Sequence, residues 1–322
     1  MLVAQLGTPD APTPTALRRY LREFLSDPRV VERNRLLWWF ILRLLVLPRR
    51  SPKSAALYQR VWTPDGSPLL IISRAQARAL DAELTRREPG RFKVALGMRY
   101  GNPSVASALQ ELRDWGAQRL LLFPMYPQYA GATTASTYDE VFRQLSLLRY
   151  VPALRVVPPY YTHPAYIDAL AQSVYEASAL RSMPPDKILV SFHGIPQRFV
   201  DSGDPYPTHC EATTRALAAR AGWSDGSYLL TYQSRAGRAV WLQPYTDETL
   251  ASLAQSGVRH VMAICPGFTA DCLETIDEIG EVAVEQFRAA GGESLELVKG
   301  LNDRPQWIRA MTDIVLEQTG GW

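Results

Sequence analysis

The sequence predicts an α/β protein made of two similar doubly wound domains, each with a parallel, Rossmann-like sheet. Short apolar runs that end in Gly or Pro alternate with longer helical stretches, which is typical of parallel sheets covered by helices. Two of these runs, residues 2–9 and 189–196, align at an offset of 187 positions (189 minus 2). Segments around Leu109 and Leu250 align at an offset of 141 (250 minus 109). Together they indicate an internal duplication.

The fall in the offset indicates an insertion in the first half. From 187 to 141 it drops by 46, so roughly 46 extra residues lie between the first turn and Leu109. We assign much of this length to residues 10–67. The predicted domains are residues 1–155, which carry the insertion, and residues 156–322, whose last helix packs back on the first domain.

The inserted segment contains an apolar run at residues 36–47, with the paired tryptophans Trp38 and Trp39. The run is too short to cross a bilayer, which needs ~20 apolar residues. Arginines flank and interrupt it, which favours a membrane interface or the mouth of an apolar pocket over a buried core helix.

The ends of the matching strands predict where a ligand binds. In open α/β sheets, ligands lie outside the carboxyl ends of the strands. We therefore expect the turns at Gly7, Gly194, Pro124 and Pro266 to border one cleft between the domains. The second half places more reactive side chains there, because His193 aligns with Leu6 and Glu274 with Thr133. Neither Leu6 nor Thr133 offers an imidazole or a carboxylate.

His193 and Glu274 are the candidate catalytic and metal-binding pair. A neutral imidazole facing a carboxylate can accept protons and hold a divalent metal. Asp271 and Glu278 lie near Glu274, and the i, i+4 spacing places Glu278 on the same helix face, which suggests a proton path. The competing interpretation of His193 is an ordinary core histidine. The competing interpretation of Glu274 is a carboxylate that lies at the start of a helix only because it interacts favourably with the helix dipole.

Several other side chains are candidates for binding a flat, carboxylated ligand. Tyr126 and Tyr129 lie in a turn after an apolar strand, and Arg99-Tyr100 follows another strand. Such rings suit stacking or edge contacts. Cations and hydroxyls that suit carboxylates are Arg49, Arg50, Tyr58 and Ser67. For each of these residues taken alone, an ordinary surface role is the favoured interpretation.

Composition excludes several classes of protein. The net charge is +3, and no basic run with interleaved aromatics indicates nucleic-acid binding. The three cysteines, Cys210, Cys265 and Cys272, are odd in number and widely spaced, which fits a reducing compartment rather than a disulfide framework. No signal peptide is recognisable, so we expect a cytoplasmic protein.

In combination, these motifs resemble those of the ferrochelatases, over nearly the whole chain. The anchors are residues 6–9, 99–100, 126–129, 191–196, 203–207, 232–237, 241–244 and 268–278. A series of matches in one order is far more specific than any single motif.

The resemblance implies a lyase that inserts Fe²⁺, as substrate, into protoporphyrin IX in the last step of haem biosynthesis, with release of two protons. It implies the chelatase-like fold, with His193 and Glu274 as the catalytic and metal-contacting residues, and with Asp271 and Glu278 as the acidic path. The positions that match the porphyrin pocket are Leu6, Arg99, Tyr100, Tyr126 and Trp241, and those near the propionates are Arg49, Arg50, Tyr58 and Ser67.

The resemblance also has departures and further implications. Cys272 stands where many members have His, and Leu6 where some have Met. No cysteine follows Cys272, so no iron–sulfur cluster is predicted. Residues 36–47 match the lip through which members dock on a membrane, which implies a protein peripheral to the inner face of the membrane. A monomer or a weak dimer is expected.

Other functions remain open from the sequence alone. A coproporphyrin III ferrochelatase would share the chemistry but need no apolar lip. A cobalt chelatase for an earlier tetrapyrrole would share the fold. A non-catalytic tetrapyrrole-binding protein would need no His/Glu pair, and a periplasmic binding protein would need a signal peptide.

Overall fold

A computed structural model describes residues 1–237 and 239–322. The chain divides into two compact units: unit 1 is Met1–Pro159 with Met311–Trp322, and unit 2 is Tyr160–Ala310. Each unit contains a four-stranded parallel sheet with flanking helices. The predicted fold class, two similar doubly wound domains, is confirmed.

Unit 1 holds the first four strands and the inserted helices. Its elements are β1 (Leu2–Thr8), α1 (Pro14–Ser26), α2 (Arg35–Ile41), π1 (Leu42–Val46), α3 (Leu47–Val61), α4 (Pro68–Arg87), β2 (Ala95–Gly101), α5 (Val105–Asp114), β3 (Arg119–Pro124), π2 (Gly131–Ala135), α6 (Ser136–Leu145) and β4 (Ala153–Val156). Here π marks a π-helix, which has i→i+5 hydrogen bonds.

Unit 2 repeats this plan without the insertion. Its elements are α7 (Pro164–Ala179), β5 (Lys187–His193), α8 (Gln197–Asp201), α9 (Tyr206–Ala221), β6 (Tyr228–Gln233), α10 (Thr246–Gln255), β7 (His260–Ile264), π3 (Glu274–Ala283), α11 (Val284–Ala289) and β8 (Ser294–Leu297). The last helix, α12 (Pro305–Thr319), begins in unit 2 and groups with unit 1 from Met311 onward.

Strand order and register support the internal duplication. The sheets have the orders β2-β1-β3-β4 and β6-β5-β7-β8. Leu2 pairs with Leu122 in the first sheet, and Leu189 pairs with Ala263 in the second. These are the pairings that offsets of 187 and 141 require, so the two halves share not only a strand order but also a register.

The structure divides the length difference between two places. Leu2 lies opposite Ala95 and Leu189 opposite Leu229, so β2 and β6 match at an offset of 134 (229 minus 95). Unit 1 therefore has 53 extra residues before β2 (187 minus 134). Unit 2 has 7 extra residues between β6 and β7 (141 minus 134), in the region that carries Trp241.

Burial explains why β1 and β5 form the sheet centres. Leu2 and Leu189 are completely buried, as expected for strands covered on both faces. At the end of β1, Gly7 has φ +110°, and a Cβ there would lie 1.8 Å from the carbonyl oxygen of Tyr100. Only glycine allows this turn, because it brings the two backbones together at a positive φ.

Candidate active site

His193 is the last residue of β5, a central strand of the unit 2 sheet, and it is half-buried. Its Nδ1 lies 2.6 Å from the carbonyl oxygen of Gly194. A carbonyl oxygen can only accept a hydrogen bond, so Nδ1 carries the proton in this contact. In the neutral ring the lone pair is then on Nε2, and in this tautomer Nε2 can act as a base or as a metal ligand.

Two aromatic rings flank the imidazole. Their centroids lie 6.4 Å (Trp241) and 6.5 Å (Phe268) from the centroid of the His193 ring. Trp241 donates its indole N–H to the carbonyl of Ala236 at 2.9 Å, which fixes the ring. A Cβ at Gly194 would lie 3.4 Å from Trp241 Cε3, so the turn after His193 packs closely on this indole. Trp241 therefore lies beside His193.

Glu274 is the first residue of π3, and Glu278 follows in the same helix. The sequence places both on an α-helix, but the structure has the wider π-helix, a form that is frequent at functional sites. The backbone N–H of Ser234 donates to Glu278 Oε1 at 2.7 Å, and the Ser234 hydroxyl donates to Oε2. Ser234 adopts φ +66° to make this pair of bonds.

The His193, Glu274 and Glu278 side chains form one electrostatic group. Burial raises the pKa of Glu278, and the negative charge of Glu274 raises it further. The hydrogen bonds from Ser234 and the charge of His193 act in the opposite direction. Unit 2 thus holds the predicted base, one carboxylate and a second carboxylate that retains a proton more readily than usual.

Asp271 is buried and makes several hydrogen bonds. Its carboxylate accepts from Thr275 Oγ1 at 3.1 Å, from the Gly300 N–H at 3.0 Å and from Asn302 Nδ2 at 2.8 Å. These bonds join the start of π3 to the loop after β8. In this geometry the Asp271 carboxylate holds the two segments together.

Cys272 contributes a contact that the sequence analysis did not assign. Burial raises the pKa of its thiol, as do the charge of Glu274 and a hydrogen bond to that carboxylate. The thiol therefore stays protonated and donates to Glu274. In the part of the chain that the structure describes, no cluster of three or more His, Cys, Asp or Glu side chains is arranged to hold a metal ion.

In unit 1, Arg99 and Tyr100 are organised around a buried carboxylate, Asp27. Tyr100 is completely buried, and its hydroxyl donates to Asp27 Oδ2 at 2.8 Å. Arg99 forms an ion pair with the same oxygen, and the Ser136 hydroxyl donates to it at 2.6 Å. Two predicted pocket residues, Arg99 and Tyr100, thus share one acceptor, Asp27. Asp27 was not predicted from the sequence.

Opposing effects act on the pKa of Asp27. Burial by itself raises it. The hydrogen bonds from Ser136, the Arg29 backbone and Tyr100, together with the charge of Arg99, outweigh burial and hold the pKa below its usual value. Asp27 is therefore a carboxylate at neutral pH, and this charge orients its donors.

The other predicted residues of unit 1 lie in more varied environments. Leu6 is half-buried at the end of β1. Burial raises the pKa of the Tyr126 phenol. Ser67 is buried and accepts a hydrogen bond from Thr8 at 2.8 Å. Tyr58 makes an edge contact with the ring of Trp62.

Arg49 and Arg50 are exposed residues of α3. Arg49 donates to the carbonyl of Leu45 at 3.3 Å. Neither arginine forms an ion pair among residues 1–237 and 239–322. Both are therefore available to a carboxylated ligand.

The apolar segment 36–47 folds as α2, π1 and the start of α3. Leu42 and Leu47 are buried, and the indole N–H of Trp38 donates to the carbonyl of Leu25 at 2.6 Å. Six large apolar side chains are exposed: Leu36, Leu37, Trp39, Phe40, Leu44 and Leu45. The side chains of Trp38, Leu42 and Leu47 anchor the segment, and the six exposed side chains present an apolar surface to solvent. No helix of the described residues is long and apolar enough to cross a membrane.

The site residues that were not predicted from the sequence differ in whether a local motif marks them. Ser234 lies inside the recognised motif 232–237, so a role for it was available from the resemblance. Asp27 is 72 positions from Arg99, and no local pattern marks it. It becomes visible only when the chain is folded.

Comparison with known proteins then tests the resemblance. The model of the family described as ferrochelatase matches residues 1–319. The chain belongs to the ferrochelatase family. The resemblance and the enzyme class that it implies, a metal chelatase of haem biosynthesis, are confirmed.

Individual relatives agree with this assignment. A ferrochelatase of Hydrogenovibrio crunogenus is 52% identical over 326 residues, which span 100% of this chain and 86% of the relative. A ferrochelatase of Pectobacterium atrosepticum is 50% identical over 315 residues, which span 98% of this chain and 97% of the relative. Both alignments extend across the two units.

Solved structures of other chelatases share the fold. SirB from Bacillus subtilis with Fe³⁺ superposes with a TM-score of 0.55 at 14% identity, over 79% of this chain and 92% of SirB. CbiX, described as the terminal enzyme for siroheme biosynthesis in denitrifying bacteria, superposes with a TM-score of 0.52 at 15% identity, over 78% and 95% of the two chains. At this identity the likeness concerns the fold alone.

Proposed function

We propose that this protein inserts Fe²⁺ into protoporphyrin IX and releases two protons. The observation that carries the proposal is the group in unit 2: an imidazole whose Nδ1 is hydrogen-bonded to a backbone carbonyl, and the carboxylates of Glu274 and Glu278, of which the charge of Glu274 raises the pKa of Glu278. A chelatase needs a base for the pyrrole N–H protons and a loosely binding N/O site for the metal. His193 and Glu274 supply both.

In this mechanism the porphyrin is held bent, so that its inner nitrogens tilt out of the ring plane and become accessible. The rings of Trp241 and Phe268 provide rigid walls beside His193. His193 Nε2 takes the two pyrrole protons one at a time and passes each to Glu278, and Glu274 meets the incoming metal. Glu278, with its raised pKa, receives protons and passes them toward water.

The porphyrin contacts of unit 1 are part of the same proposal. Arg49 and Arg50 are exposed cations that suit the propionates. Tyr58 and Ser67 are proposed near the same groups, and Leu6 and Tyr126 against the macrocycle. Arg99 and Tyr100 act mainly by shaping the pocket wall, because Tyr100 is completely buried and both bind Asp27. Asp271 is proposed to belong to the proton path, next to Glu274 and Glu278.

The exposed apolar surface of residues 36–47 supports peripheral binding of a cytoplasmic protein to the membrane. Apolar and aromatic side chains near arginines suit the boundary between headgroups and acyl chains. Leu44→Asp with Leu45→Asp should reduce flotation with anionic vesicles at least fivefold. Leu180→Asp, at a leucine that is 90% exposed in unit 2, is the control. Equal flotation of both variants would contradict membrane binding by this segment.

The experiment that tests the function is an anaerobic absorbance assay with Fe²⁺, run on protoporphyrin IX and on coproporphyrin III in parallel. Turnover of protoporphyrin, abolished by His193→Ala with the melting temperature unchanged, is the expected result. Preference for coproporphyrin would keep the chemistry and overturn the substrate. Binding of a porphyrin without metal insertion would favour a tetrapyrrole carrier.

A further inference from the structure

Gln233 lies between His193 and Glu274, the proposed catalytic residues of unit 2. It is the last residue of β6, it lies opposite His193 in the sheet register, and it is 3% exposed. Its backbone carbonyl accepts the Gly194 N–H at 2.8 Å. Its side-chain Nε2 donates to the backbone carbonyl of Glu274 at 3.0 Å. One residue therefore contacts both the turn that follows His193 and the first residue of π3.

The amide of Gln233 is fixed by donors on its other side. Oε1 accepts from Ser191 Oγ at 2.8 Å and from Cys265 Sγ at 3.6 Å. The Ser191 hydroxyl is in turn hydrogen-bonded to Thr246 Oγ1 at 3.0 Å. Because a hydroxyl and a thiol donate on one side and a carbonyl accepts on the other, only one orientation of the amide satisfies its partners.

We infer that Gln233 is a positioning residue that sets the location of Glu274 relative to His193. The inference rests on the proposed function and deepens it. Gln233 acts through the backbone of its neighbours and needs no contact with substrate. In a buried network an amide that is hydrogen-bonded through both its oxygen and its nitrogen holds its neighbours in one arrangement. Displacing a reacting group by about 1 Å costs about 100-fold in rate, so this brace matters for turnover.

The test is Gln233→Met, which keeps the side-chain length and removes both polar atoms. We expect kcat for metal insertion to fall at least tenfold, while the dissociation constant for protoporphyrin, from fluorescence titration, changes less than twofold. Ser191→Ala removes one donor to Oε1 and leaves the bond to Glu274, so its kcat should fall about threefold. If Gln233→Met does not fold, Ser191→Ala carries the test alone.

The matched control is Ser173→Ala. Ser173 is 1% exposed in the same unit, and its hydroxyl donates to the carbonyl of Leu170 at 2.7 Å on α7. It should lower the melting temperature and leave kcat unchanged. A second readout places Gln233→Met in a Glu274→Gln background, where a residue that acts through Glu274 has less than a twofold further effect on kcat.

Three outcomes would overturn the inference. In the first, the substitutions at Gln233 and Ser191 alter kcat no more than Ser173→Ala does. In the second, Gln233→Met weakens porphyrin binding as much as kcat, which indicates a general loosening of the unit. In the third, the effects at positions 233 and 274 multiply independently. An inactive wild-type protein would instead overturn the proposed function, and the positioning role with it.

Discussion

Replacing Asp27 with alanine tests how much a buried ionic network contributes to stability, compared with an ion pair on the surface. The Asp27 side chain is 3% exposed and that of its partner Arg99 is 13% exposed. Tyr100 and Ser136 donate to the same carboxylate oxygen. Alanine would leave these donors and the arginine without their common acceptor, in a place that water does not readily reach.

The structure sets the scale of the expected effect. Removing one partner of a buried ion pair costs about 3–5 kcal/mol, so Asp27→Ala should lower the free energy of unfolding by that amount. For domains of 150–250 residues, 1 kcal/mol corresponds to about 2–4 °C in melting temperature. Asp139 also pairs with an arginine, Arg29, but these side chains are 50% and 47% exposed. Exposed pairs contribute about 0–1 kcal/mol, so Asp139→Ala should shift the melting temperature by less than about 4 °C.

The assay is thermal unfolding of both variants at several pH values. The folded-state pKa of Asp27 lies below its usual value, so its stabilising contribution is present above the unfolded pKa of about 3.9. It is lost as the pH falls through the folded pKa. The difference between wild type and Asp27→Ala should therefore be full at pH 7 and shrink below pH 4. Equal melting temperatures for Asp27→Ala and Asp139→Ala at pH 7 would refute the reasoning.

Three further predictions concern backbone, charge and packing. Gly7→Ala should abolish folding or lower the melting temperature far more than Gly90→Ala, because its Cβ would lie 1.8 Å from a backbone oxygen, whereas at Gly90 nothing lies within 4 Å. Equal effects of the two would contradict this. Burial raises the pKa of Glu278, so its ionisation costs stability as the pH rises from the unfolded pKa through the folded one. Glu278→Gln should therefore gain melting temperature relative to wild type between pH 4 and pH 8, and a constant difference would argue against it. Phe287→Ala should cost about 3–5 kcal/mol in chemical denaturation, because the ring is fully buried. Phe142→Ala, at a ring 47% exposed, is its control, and the two should differ by at least twofold.

Local patterns were enough to predict the sheets. The match between residues 2–9 and 189–196 predicted two similar domains, and the structure has two sheets with the same strand order and register. It succeeded because a buried strand in a parallel sheet must be apolar along its length, so both copies kept similar residues. The placement of His193 at the end of a central strand follows from the same pattern.

The π-helices were not predictable in the same way. Glu274 and Glu278 are four residues apart, a spacing that suits one face of an α-helix, and the sequence analysis placed them on one. The structure has i→i+5 hydrogen bonds from Glu274 to Ala283. Over so few residues the apolar pattern does not distinguish the two helices, and the choice depends on what the helix packs against.

The sequence by itself determined the alternation of strands and helices, the duplication, the insertion and the chemical identity of His193 and Glu274. These depend on residue type and on spacing along the chain. Only the tertiary structure decided that Asp27 organises Arg99, and that Gln233 joins the turn after His193 to Glu274. A hydrogen bond requires its two atoms to be about 3 Å apart. Residues far apart in sequence reach that distance only when the packing of strands and helices brings them together.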